Sequence, residues 1–260
     1  MRLFPALLGA LPLAGLAVAV LSARGSAALA GPPASLRPVV VELFSSEGCS
    51  SCPPADAVLS RLARDQPVAG AEVIALELHV DYWNSLGWPD PFSSPAFTAR
   101  QRAYADAFGQ RGVYTPQLVV DGAAELVGSS EAGARAAIAA AAREARTRVQ
   151  VTRAGDRVTI TVIDPSEAAG AADVWLAVTE EGLSTAVPRG ENAGATLAHG
   201  PVVRTLDKVQ PLAAGTRGAV VKEVEVTVLP AWRREGLRAV AFVQRRGTLR
   251  ITGAGAVSLR

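Results

Sequence analysis

The chain alternates short apolar runs with polar, Gly- and Pro-rich breaks, and the character of the runs changes near residue 148. Upstream, residues 39–44 and 73–80 are almost continuously apolar. Runs of that kind suit strands buried on both faces in a parallel arrangement. Helical spacing follows the first run over 55–63, with Pro53 and Pro54 in the first turn, where a missing N–H costs little. A second helix is expected over 96–108, where Phe97, Tyr104 and Phe108 recur with Arg100 and Arg102 between them. Residues 81–95, rich in Pro, Ser and aromatics, read as a loop. A strand after Thr115-Pro116 ends at an Asp121-Gly122 turn, with 124–128 as its hairpin partner. Ser129 and Ser130 can cap an alanine-rich helix over 131–146. Downstream, 149–152, 157–163, 173–179, 202–207, 219–229 and 237–245 read as strands with no helix between them. Val220, Lys222, Val224, Val226 and Val228 show the period of two directly. The pattern predicts an α/β domain over 31–148 and a smaller, all-β, sandwich-like domain over 149–260.

The N-terminal 30 residues change the picture of where the chain works. Arg2 precedes an apolar run over 3–23, and Ala28-Leu29-Ala30 fits small-x-small cleavage before Gly31. A signal peptide over 1–30 is expected, which places the mature chain in the periplasm or outside the cell. The run is longer than an ordinary signal core, so an uncleaved membrane anchor is the alternative. Gly31-Pro32-Pro33-Ala34-Ser35 reads as a linker. Arg2 and Arg24 are two of 26 basic residues, so the remaining 24 balance the 24 acidic ones. No basic stripe or tail points to nucleic acid, and a membrane is a partner only if the leader stays uncleaved. No Gly-rich phosphate loop, Ser-centred elbow or paired-histidine metalloprotease helix is present.

Cys49 and Cys52 are the only cysteines. They stand between the first predicted strand and the first predicted helix, the geometry of a dithiol redox site. A helix N-terminus carries a partial positive charge that favours the thiolate. Cys49 is expected to open the helix and carry the lower pKa, with Cys52 further in and more buried. Two plainer readings exist. A structural disulfide closing so short a loop would stabilise weakly. A zinc site needs more ligands than this chain's two histidines, His79 and His199, offer at any finger-like spacing.

The segment from Glu42 through Cys49-Ser50-Ser51-Cys52-Pro53-Pro54 to Asp56 resembles a secreted, thioredoxin-like bacterial family of uncharacterised function, DUF1223. His79-Val80-Asp81-Tyr82-Trp83, Tyr114-Thr115-Pro116-Gln117 and Glu191-Asn192-Ala193-Gly194 also look familial. The resemblance implies a thioredoxin-like fold for the first domain. It also implies that Thr115 and a cis Pro116 face the dithiol and shape a substrate groove. Gly48 stands where thioredoxins carry tryptophan, and Ser50-Ser51 where they carry Gly-Pro, so the direction of electron flow is not assigned.

Three supporting residues are candidates. Glu42, an acid in an apolar strand, could accept a proton near the resolving thiol or bond structurally. His79 and Asp81 lie at the carboxyl end of the second strand, where open α/β sheets place their sites. Tyr82, Trp83 and Trp88 could line a peptide groove or simply pack, and Asn192 and His199 could lie on a loop reaching toward the first domain. The expected function is thiol–disulfide exchange on cysteine-containing exported proteins or a redox partner, without a cofactor or resident metal. The alternatives are a copper-handling module, with Cys49, Cys52 and His79 as soft ligands for Cu(I), and a non-catalytic interaction protein.

Overall fold

A computed structural model describes residues 1–3, 36–165 and 170–260. The expected leader, the linker after it and part of the turn near 165–170 lie outside those residues. Among the described residues no helix is long and apolar enough to cross a membrane.

The two apolar runs form β1 (Arg37–Ser45) and β2 (Ala71–His79), paired in parallel as their composition predicts. Between them runs α1 (Pro53–Asp65), and after β2 comes α2 (Pro95–Ala107). Ser94 caps α2 by accepting a bond from the Ala96 N–H at 3.2 Å, with Pro95 in the first turn. The hairpin β3 (Gln117–Val120) and β4 (Ala124–Val127) follows, antiparallel to β1. Helix α3 (Glu131–Ala141) stops five residues before the expected end at 146. Arg146 folds back instead, donating to the Ala141 carbonyl at 2.8 Å and pairing with Asp121.

The β-rich half supplies β5 (Arg148–Ala154), β6 (Arg157–Ile163), β7 (Ala172–Glu180), β8 (Ser184–Ala186), β9 (Thr196–Ala198), β10 (Val202–Leu212), β11 (Ala219–Glu225), β12 (Leu237–Arg245) and β13 (Ile251–Ser258). Strands β7, β10, β12 and β13 do not build a separate sandwich. They extend the first half's sheet, giving one eight-stranded mixed sheet in the order β13-β12-β7-β10-β2-β1-β3-β4. The joint is β10 lying parallel to β2, with Val202 opposite Glu77 and the Glu77 N–H on the Pro201 carbonyl at 2.9 Å. The described residues from 36 onward accordingly belong to one compact unit.

Side-chain alternation divides the core in two. Val40, Phe44, Ile74, Leu76, Leu78, Val240 and Phe242 pack on one face with Phe97 and Tyr104 of α2. Val39, Val41, Leu43, Val73 and Ala75 face the other way, onto α1 and α3. On that second face, but over β7 and β12, sits a three-stranded sheet of order β11-β6-β5. This small sheet against part of the large one stands where a separate sandwich-like domain was expected. Strand β13 was hidden in its Gly-Ala sequence. A Cβ at Gly253 would stand 2.0 Å from the Thr147 carbonyl oxygen, and one at Gly255 2.6 Å from that of Val149. Only glycine lets β5 approach so closely.

Candidate functional site: a buried disulfide over an acid–histidine cluster

Strand β1 ends at Ser45 and the chain turns through Ser46, Glu47 and Gly48 into the cysteines. The Cys49 N–H bonds the Ser46 carbonyl at 3.1 Å, and the Cys52 N–H bonds that of Cys49 at 3.2 Å. Helix α1 begins at Pro53, with Cys52 as its N-cap residue. Cys49 therefore lies one turn outside the helix rather than opening it. The proline pair sets the first helical turn and at the same time removes two of the N–H donors that such a terminus normally offers. The cysteines are joined in a disulfide and are equally and fully buried, so the expected contrast in burial is absent in this oxidised form.

Hydroxyl groups surround the outer sulfur. Cys49 Sγ lies 3.3 Å from Ser51 Oγ and accepts from Thr115 Oγ1 at 3.4 Å. Thr115 is held by the Trp83 indole N–H at 2.9 Å, and the Thr115–Pro116 peptide is cis. Trp83 also explains Gly48, because a Cβ there would come within 3.1 Å of the Trp83 Cβ. The indole comes from the loop after β2, across from the position before the first cysteine. Gly128 donates to the Pro116 carbonyl at 3.0 Å, and its missing Cβ would lie 2.7 Å from Leu43 Cδ1 and 2.9 Å from Ala55 Cβ. That close packing sets the proline loop against α1.

A second wall comes from the β-rich half. Asn192 Nδ2 donates to the carbonyls of Glu47 at 2.9 Å and Cys49 at 3.0 Å. Glu191 accepts the Ser50 N–H at 3.0 Å. A carboxylate thus uses one of the dithiol loop's own donors. Gly190, with a positive φ of 85°, lets this loop lie against Trp88.

Behind the disulfide, on the α1 face of the sheet, lies a cluster of ionisable groups from both halves. Asp56 follows Cys52 by one turn and accepts from Ser45 Oγ at 2.5 Å. His79 bonds Glu77 Oε1 through Nε2 at 2.9 Å and Asp90 Oδ2 through Nδ1 at 2.6 Å. His199 Nε2 bonds Glu47 Oε1 at 3.0 Å. Its Nδ1 is 3.3 Å from Glu77 Oε1 but off the hydrogen-bonding direction, and has no hydrogen-bond partner among the described residues. Trp88 Nε1 donates to the other oxygen of Glu47 at 2.7 Å. Burial pushes the Asp56 carboxyl up to about 8, with the nearby Glu77 charge adding to the effect. Burial would also raise Glu77, but the two histidines outweigh it and hold it down at about 2. Burial would lower both histidines. The Asp90 charge, with hydrogen bonds to Asp90 and Glu77, instead raises His79 well above its ordinary value, and Glu47 and Glu77 raise His199 to about 9.

Of the residues singled out from sequence, Cys49, Cys52, Thr115 and Pro116 come together, with Trp83 and Asn192 against them. His79 joins the cluster behind, and both its ring nitrogens are engaged by carboxylates rather than sulfur. Asp81 instead accepts from Thr98 Oγ1 at 2.5 Å and tethers α2. Glu42 faces away from α1. It binds Arg100 Nε at 2.6 Å and Nη2 at 3.1 Å, and Tyr104 Oη, on the α2 face. Tyr82 bonds Gln101 at 3.1 Å. Glu47, Asp56, Glu77, Asp90 and Glu191 were not singled out beforehand. An acid inside an apolar strand is a signal that Glu77 shares with Glu42; Asp90 and Glu191 lie in loops whose placement the sequence does not show.

The chain is similar to a solved structure from Agrobacterium tumefaciens, protein AGR_C_4864, at 28% identity and a TM-score of 0.70, over 87% of this chain and 96% of that one. A domain of the outer membrane lipoprotein Omp28 from Porphyromonas gingivalis aligns at 12% identity over 45% of this chain and 89% of that one, with a TM-score of only 0.26. No protein of curated function matches the sequence. The model of a protein family of unknown function, DUF1223, matches residues 40–244, and the chain belongs to that family.

Proposed function

We propose that this chain is an exported thiol–disulfide oxidoreductase built on a thioredoxin-like half, acting on cysteines of other proteins. The observation that carries the reading is the placement of Cys49–Cys52 at the start of α1, with the Thr115 hydroxyl on Cys49 Sγ at 3.4 Å. In the oxidising direction a substrate thiolate attacks Cys49 Sγ, the Cys49–Cys52 bond breaks, and Cys52 leaves as thiolate. A second substrate thiolate then attacks the substrate sulfur of the mixed disulfide. The substrate leaves as a disulfide, and Cys49 leaves as thiolate. The reverse sequence reduces a substrate disulfide. Asp56, one turn from Cys52 and protonated up to about pH 8, can supply the proton that neutralises the inner thiolate. Ser51 and Thr115 hydroxyls stabilise charge on the outer one.

The surroundings favour the reducing direction. No cation bonds Cys49 Sγ among the described residues, Glu191 occupies the Ser50 N–H, and two prolines thin the donors of α1. A thiolate helped by neutral hydroxyls alone, with no cation, makes the dithiol readier to give up electrons. Equilibration of the full chain with glutathione redox buffers, read by mass spectrometry after alkylation, tests this. A reversible two-electron transition near the potential of reducing thioredoxins is expected, about −270 mV. A disulfide that exchanges with no thiol while the protein stays folded would overturn the reading.

A further inference from the structure

The clustered histidines are more than a support for the dithiol. One carboxylate oxygen, Glu77 Oε1, faces two imidazole nitrogens, His79 Nε2 at 2.9 Å and His199 Nδ1 at 3.3 Å. Only the first makes a hydrogen bond; the second is a buried nitrogen with no hydrogen-bond partner among the described residues, on a side chain 1% exposed. A buried polar atom without a partner is costly and calls for an explanation. The three atoms lie within 4.8 Å of one another. Zinc bonds of about 2.0–2.2 Å at tetrahedral angles put neighbouring ligand atoms about 3.3–3.6 Å apart. The His199–Glu77 separation already has that value, and the His79–Glu77 separation needs a small opening.

The outer groups fit as well. Metal-binding imidazoles usually present their second nitrogen to a carboxylate, which fixes ring and tautomer. Both rings here do so, His79 on Asp90 at 2.6 Å and His199 on Glu47 at 3.0 Å. Phe92 stands edge-on to both rings, at 5.5 and 5.2 Å between centroids. The second Glu77 oxygen is held by the Gly200 N–H, and Gly200 is required there, since a Cβ would meet that oxygen at 2.7 Å. A pocket of about 340 Å³ lined by Ser60, Arg64, His199 and Gly200 opens beside the cluster and offers a route in.

We propose that Glu77, His79 and His199 form a binding site for a divalent transition-metal ion of the zinc class, behind the disulfide and distinct from its sulfurs. Two imidazoles and one carboxylate are a borderline nitrogen–oxygen set, suited to Zn²⁺ rather than to Cu(I) or to hard Ca²⁺. The site draws Glu77 and His79 from β2 and His199 from the segment leading into β10, so a bound ion would cross-link the two halves of the sheet.

The site is independent of thiol exchange, and its test keeps the disulfide closed. The full chain, air-oxidised and stripped with chelator, is titrated with ZnCl₂ by calorimetry, with Co²⁺ as a spectroscopic probe. One ion per chain with sub-micromolar affinity is expected, together with the intense visible bands of four-coordinate Co²⁺. His199→Ala should abolish binding, and Glu47→Gln, which loosens His199, should weaken it about 10-fold or more. Oxidised wild type that takes up no Zn²⁺ overturns the proposal, as does a folded His199→Ala variant that binds equally well. If His199→Ala does not fold, the Co²⁺ spectrum of the wild type decides, and six-coordinate pale bands count against the site.

Discussion

Two buried polar networks lie on opposite faces of the same pair of strands, and their partners make them different in kind. On the α2 face, Glu42 is held by Arg100, Tyr104 and, through them, Gln244, whose amide donates to Tyr104 Oη at 2.9 Å. Arginine stays charged at any working pH, so that network is fixed. On the α1 face, Glu77 and Glu47 are held by histidines, and Asp56 by a serine hydroxyl. The histidines can gain or lose protons, or exchange them for an ion. A buried acid in a strand is thus a scaffold on one face and a reactive neighbour on the other. The residue across from it decides which.

The largest effect should come from breaking the fixed network. Arg100→Ala would leave Glu42, fully buried, without its cation. Removing one partner of a buried pair costs about 3–5 kcal/mol. Urea unfolding should show that loss, with little change in thiol exchange of the folded fraction. A stability loss under 1 kcal/mol would mean that Glu42 is satisfied without Arg100.

The same comparison shows what sequence could reveal. The acid at 42 stood out within its apolar run, but its face did not, because one step along a strand reverses a side chain. Both central strands, all three helices and the dithiol turn were legible from period and punctuation. The β2–β10 joint was not, since it rests on a single registered pair, Val202 opposite Glu77, between segments far apart in the chain. His199 was expected on a loop reaching toward the first half, which it is, but its place beside Glu77 exists only once that joint forms. Helix α3 was overextended because alanine content does not report the pull of Asp121 on Arg146.

An intermediate effect is expected from Asp56→Asn. The folded-state pKa of Asp56 is raised from 3.8 to about 8. Its proton therefore adds stability fully below about pH 4, and that contribution is lost as pH rises toward 8. Of the groups that face it, Ser45 does not titrate, Glu77 is held down at about 2, and His79 and His199 are raised, His199 to about 9, so they titrate largely outside that window. Wild type should lose stability relative to Asp56→Asn steadily between pH 4 and 8, measured by chemical unfolding. A difference that stays flat over that range would show an Asp56 that titrates normally.

The smallest effect concerns the cover over the sulfurs. Asn192→Ala removes two hydrogen bonds that hold the 188–195 loop on the dithiol turn. At about 1 kcal/mol each, their loss should speed reduction of the disulfide by small thiols up to about 30-fold. An unchanged rate would mean that the loop does not limit access to Cys49.

The central claim is that Cys49 and Cys52 exchange disulfides with other proteins, and trapping tests it most directly. In Cys52→Ser, Cys49 should accumulate mixed disulfides that run as high-mass species on non-reducing gels and vanish with reductant. Cys49→Ser should trap nothing, because the remaining thiol is the N-cap residue of α1 and lacks the Thr115 hydroxyl that Cys49 Sγ has. Neither variant capturing a protein, or both capturing the same ones equally, would contradict the account.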